Sequence, residues 1–183
     1  MVKVKDRFRF TLPYAGLPIL CAALFVVRFG QIEPMILLRS GLVLAFGYVA
    51  AVLDMKTKRI PNNLVLAMLA AWVLMMTPML FYDTSGAIPL LRDSIFGFLI
   101  GGGIFLLVYL ISRKGLGGGD VKFMAAAGLY LGFGGAISVI LLGSILASIT
   151  GLTLIALKKI GRKDSMPLAP FLYVGILLTV FFA

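Results

Sequence analysis

The sequence predicts an all-α, polytopic membrane bundle of about six to seven transmembrane helices. Three observations carry that expectation. The 183-residue chain is 61% hydrophobic, with a mean hydropathy of +1.09, far more apolar than a soluble domain. Its apolar residues fall into runs near the membrane-crossing length of about 17–25 residues. Charged residues make up only 13% of the chain and cluster in short segments between those runs. The whole chain, 1–183, reads as one membrane-embedded domain, in which 1–34 holds a basic segment and a first span.

The first run, 11–29, follows Lys3, Lys5, Arg7 and Arg9. A basic start before an apolar core also describes a signal peptide. No small-residue cleavage site follows and further spans come at once, so the run is read as a retained helix. The second run, 35–53, ends at Asp54. Pro61 turns the chain out of helical geometry at Ile60 and suits a first helical position, so the third run, 62–82, starts near Asn62. A fourth run covers 94–112. The fifth, 121–134, is short and ends at Gly132-Phe133-Gly134-Gly135, which marks a partial or tilted span. The sixth and seventh cover 136–157 and 167–182.

Charge sets the direction. With alternating spans, fourteen of the seventeen basic residues fall on one side, and only Arg28, Arg39 and Arg92 fall opposite. The basic side is the cytoplasmic side, so the N-terminus is cytoplasmic. The net charge of +10 then reflects loop bias and affinity for anionic lipids, and gives no reason to expect nucleic acid. The chain has no histidine, and Cys21 is its one cysteine. Ser-His and Cys-His nucleophile pairs and the usual zinc ligand sets are therefore excluded. Ser112 near Lys114 is the one hint of a Ser-Lys pair, and only proximity supports it.

The same map sorts the acids. Glu33, Asp83 and Asp93 belong to the outer side, while Asp6 and Asp164 lie among basic residues in polar segments. Asp54 and Asp120 alone sit at inner helix–loop junctions beside glycine, proline or asparagine. A carboxylate at a membrane boundary is costly to keep, and Asp54 lies at the unfavourable end of its helix dipole. Asp120 follows Gly117-Gly118-Gly119, a run that gives unusual backbone freedom and lets another helix come close. It is placed to cap or open the fifth helix. Two carboxylates brought together titrate as a unit, one acting as acid and one as base on a water molecule, with no metal or cofactor. Either can start as the base. Lys122, two residues on, is expected to reach lipid phosphates, with a role at Asp120 as the alternative.

Asp54 with Ile60-Pro61-Asn62, then Gly117-Gly118-Gly119-Asp120-Val121-Lys122, then Pro167-Leu168-Ala169-Pro170-Phe171-Leu172 resemble the type IV prepilin peptidases. These are membrane aspartic proteases whose GxGD signature is shared with presenilin-type proteases. The resemblance covers roughly residues 35–182. It implies removal of the short basic leader from prepilin or pseudopilin precursors at the cytoplasmic face of the bacterial inner membrane. Asp54 and Asp120 would be the catalytic pair, supported by Gly117, Gly118, Gly119, Lys122, Pro61 and Asn62. Many members also carry paired CxxC motifs and methylate the new N-terminus. This chain lacks those motifs and resembles the short, peptidase-only forms, so methyl transfer is not expected. Leu168-Ala169 stands where the family often has Phe-Gly, a departure expected to touch packing more than catalysis.

Small residues at every fourth position, Gly97 and Gly101, then Gly143, Ala147 and Gly151, point to close helix packing, with a groove for a substrate helix as a second reading. Trp72, Tyr48, Tyr109 and Tyr130 carry no separable signal. Two rivals use the same aspartates: a small proton- or ion-coupled transporter, and a non-catalytic scaffold in which they only cap helices. No internal repeat and a location at one membrane edge disfavour the transporter.

Overall fold

The computed structural model describes residues 34–112, 116–159, 161 and 166–182. The first expected span, 11–29, lies outside them. Among the described residues five helices follow in order: α1 (Pro34–Thr57), α2 (Asn62–Tyr82), α3 (Thr84–Ile111), α4 (Gly118–Ala156) and α5 (Ala169–Phe182). Among the described residues, α1 to α4 are long and apolar enough to cross a membrane. The chain divides into two compact units, Met1–Leu37 and Leu38–Ala183, and the packing that follows is internal to the second.

Three boundaries differ from expectation, each for a physical reason. α1 continues one turn beyond residue 53, so Asp54 lies inside its last turn, where its carbonyl accepts the Lys58 N–H. α3 begins ten residues early, because Asp83 caps it by accepting the Gly86 N–H at 3.1 Å and the Ser85 hydroxyl at 2.8 Å. Those two donors hold the Asp83 carboxyl below its usual range. The fifth and sixth expected spans follow each other without a loop as α4, which is broken at Gly132 with φ 71° and ψ −176°. At ~1.5 Å per residue, 118–131 extends about 20 Å and falls short of a ~30 Å hydrocarbon core.

Contacts show that the chain turns back at this break. Cβ atoms added at Gly97 and Gly101 would overlap the backbone of Gly128 and Met124, so α3 runs antiparallel to 118–131. Beyond the break, Gly143 meets Leu172 and Gly135 meets Thr179, so 133–156 lies antiparallel to α5. Small residues here do what the fourfold spacing implied, bringing backbones together where apolar burial gives little drive between helices. Gly151 is not part of this packing, since an added Cβ would make only an ordinary contact with Met166. The core beneath these contacts holds Val43, Met68, Met76, Phe123, Met124, Val139, Leu172 and Ile176. Leu66, Leu74, Leu99, Leu110 and Leu152 point outward, the apolar rim that a bilayer would cover.

Breaking α4 at Gly132 frees backbone groups that the helical ladder would have paired. Three of them find a side chain, and the neighbouring Tyr130 hydroxyl bonds across to α2. The Trp72 indole N–H donates to the Leu129 carbonyl at 3.2 Å. Arg39 donates twice to the Tyr130 carbonyl, at 3.0 and 2.6 Å. Asp93 accepts the Phe133 N–H at 3.0 Å, and the Tyr130 hydroxyl donates to the Met68 carbonyl. A polar patch thus makes a sharp break tolerable in a lipid environment. Trp72 and Tyr130, which looked uninformative in sequence, are part of it.

Candidate active site

Asp54 and Asp120 meet at the end of the bundle opposite the Gly132 break. Antiparallel α1 and 118–131 bring them there: Arg39 reaches Tyr130 at one end, and the two carboxylates lie together at the other. Both are buried, Asp54 5% exposed and Asp120 9%. Asp54 is near enough to Asp120 for the two carboxyl groups to interact through space. A pair of buried acids so placed is expensive unless its oxygens are accounted for.

Asp54 Oδ2 accepts the backbone N–H of Ala169 at 3.0 Å, and the Leu168 backbone lies beside this carboxylate. Asp120 is the third residue of α4, a first-turn acid, and its side chain turns back to the Gly117 backbone. Its other oxygen, Oδ1, is buried without a hydrogen-bond partner among the described residues. One carboxylate is held by a neighbouring helix, and the other keeps an open acceptor. That asymmetry suits a pair that must hold and exchange a proton.

The other expected residues fall at the starts of α2 and α4, and sequence only partly anticipates their placement. Pro61 is the N-cap of α2, with φ −70° and ψ 143°, and Asn62 opens the helix. Lys122 Nζ donates to Asn62 Oδ1 at 3.0 Å, tying the first turns of α2 and α4 together. The bond engages one of the three ammonium donors of Lys122 within the protein. The three glycines do not supply unusual backbone angles. Gly117 is ordinary extended backbone (φ −72°, ψ 133°), Gly118 and Gly119 are helical, and among the described residues Gly132 is the glycine with positive φ. Their use is close approach. A Cβ on Gly119 would sit 3.1 Å from the Ile60 carbonyl oxygen, and one on Gly117 would sit 2.7 Å from Asp120 Oδ2. Gly118 faces open space.

Beside the Lys122–Asn62 bond lies a cavity of about 390 Å³ lined by Val65, Leu66, Leu69, Phe98, Ala125 and Ala126. It is a different groove from one along Gly97 and Gly143, which are filled by helix packing. Among the described residues, no three His, Cys, Asp or Glu side chains converge. A pair of carboxyl groups so placed has the chemistry to work as an acid and a base on a bound water.

Residues 41–152 match the type IV leader peptidase family. A prepilin leader peptidase/N-methyltransferase of Burkholderia pseudomallei is 32% identical over 155 residues, 78% of this chain and 48% of the relative. One from Aeromonas salmonicida is 30% identical over 128 residues, 67% of this chain and 42% of the relative. The chain spans about half the length of the curated relatives it matches. No solved structure matches it. The matched stretch runs from α1 into α4 and contains both aspartates, the Pro61 cap and the glycine run, and by that match the chain belongs to the type IV leader peptidase family.

Proposed function

We propose that this protein is a membrane aspartic endopeptidase that removes the basic leader from prepilin-like precursors, pilins or pseudopilins. The observation that carries the reading is the buried pair of carboxylates, Asp54 and Asp120, at one end of a membrane bundle. One takes a proton from water as the hydroxyl attacks the scissile carbonyl, while the other protonates the carbonyl oxygen. Collapse of the tetrahedral intermediate breaks the C–N bond: the departing amine takes the proton held by the first carboxylate, and the second carboxylate takes back a proton from a hydroxyl of the intermediate. The peptide bond must leave helical geometry first, because a helical amide is shielded by its own backbone.

As a multi-pass member of this family, the protein resides in the bacterial inner membrane. The basic bias of the loops supports a cytoplasmic N-terminus and a dyad on the cytoplasmic side, where a leader would be presented. The reading is limited to leader cleavage, the reaction that the carboxylate pair serves. The transporter alternative has no support: both acids lie at one end of the bundle, and the chain belongs to a peptidase family. The test is incubation of the protein in lipid vesicles with intact prepilins and pseudopilins, with product masses measured. Cleavage between leader and apolar segment is expected, and it is lost in Asp54→Asn and in Asp120→Asn. Cleavage that survives both substitutions would overturn the reading.

A further inference from the structure

The Pro167–Leu172 segment has a role that its expected packing function does not cover. Asp54 lies in the last turn of α1, where that helix's own carbonyls and dipole disfavour a carboxylate. Donors must come from another element, and the first turn of α5 supplies them. Ala169 is wholly buried, and its N–H reaches Asp54 Oδ2 across 115 positions of sequence. Pro170 has no N–H to offer, and the N–H groups of Phe171 and Leu172 are taken by the Leu168 carbonyl at 3.0 and 3.2 Å. Ala169 is thus the first helical residue with a donor left for Asp54. Asp120 already sits in the first turn of its own helix. Two helix N-termini therefore converge on the pair, α4 on Asp120 and α5 on Asp54.

We propose that the Ala169 backbone N–H is a positioning group for the reaction: it fixes Asp54 Oδ2 and so sets the carboxylate against Asp120. The inference rests on the reading of Asp54 as catalytic. The test replaces Ala169 by its α-hydroxy analogue, lactic acid, which turns the amide into an ester and deletes this one N–H. The same exchange at Phe171 deletes an ordinary helical hydrogen bond in the same turn. Leader cleavage is measured in vesicles, with kcat and KM resolved. Misplacing a catalytic group by up to ~1 Å costs up to ~10²-fold, so the ester at 169 is expected to lower kcat about 10-fold or more with little change in KM. The ester at 171 leaves kcat nearly unchanged. Ala169→Pro removes the same N–H at a position where proline is tolerated, and it should reproduce the loss. Equal effects of the two esters, or full kcat in the 169 ester and in Ala169→Pro, would overturn the proposal. Full activity of Asp54→Asn would instead remove the reading beneath it.

Discussion

Single alanines at Gly117, Gly118 and Gly119 should give three different outcomes. At Gly117 the backbone is extended and accepts any residue, so strain is not the issue. The new Cβ would lie 2.7 Å from Asp120 Oδ2, against an ordinary C···O contact of about 3.3–3.6 Å. The carboxylate must withdraw by roughly 0.6 Å or more. A misplacement of ~1 Å costs about 10²-fold, so Gly117→Ala should lose about 10-fold in kcat, or ~1.4 kcal/mol of transition-state stabilisation. Gly118→Ala meets nothing within 4 Å and gains up to ~1 kcal/mol of helix propensity, so it should keep full activity and melt no lower. Gly119→Ala meets the Ile60 backbone at 3.1 and 3.3 Å; a shift of a few tenths of an ångström should give a loss between the other two. Leader cleavage in vesicles at matched insertion, with thermal unfolding in detergent, separates activity from stability. If Gly118→Ala were as damaging as Gly117→Ala, or if Gly117→Ala were fully active, the reasoning from close approach would fail.

Lys122→Met and Asn62→Leu should each reduce cleavage a few-fold. The double variant should be little worse than the poorer single, with a coupling of about 0.2–1 kcal/mol for an exposed charged bond; additive losses would show that the 3.0 Å contact is not the route. Cleavage rate should be bell-shaped in pH, because with both carboxylates protonated there is no base and with both ionised there is no acid. A profile with only one limb would contradict a shared proton. Gly132→Ala places a residue in a glycine-only backbone region, at ~1–3 kcal/mol, and drives its Cβ into Asp93. It should lower the melting temperature, with activity falling only as far as the folded fraction does; unchanged melting would mean that the break relaxes freely.

The juxtaposed pair of acids was legible because cost made it conspicuous: two acids on one membrane edge of an apolar chain call for an explanation. Pro61 and the Gly132–Gly135 run likewise announced where helices start and turn. What sequence could not show was pairing between distant segments. Asp54 finds its donor at Ala169, and nothing local to Asp54 identifies it. Trp72 and Arg39 look like an ordinary aromatic and an outer charge until the carbonyls freed by the break are placed beside them. The early start of α3 was readable in principle, since Asp83-Thr84-Ser85-Gly86 has the character of a helix cap. Counting apolar residues alone hid it behind Pro89, Arg92 and Asp93.

The most direct test of the central claim is the cycle formed by Asp54→Asn, Asp120→Asn and the double variant, with prepilin cleavage measured at matched insertion in vesicles. Groups that act as one unit lose nearly everything when either is removed. Each single substitution should lower kcat by roughly 10³-fold or more, within the range expected when proton transfer is lost, and the double should be no worse than either. Losses that multiply, or near-normal cleavage by one single variant, would contradict a dyad working on a shared proton.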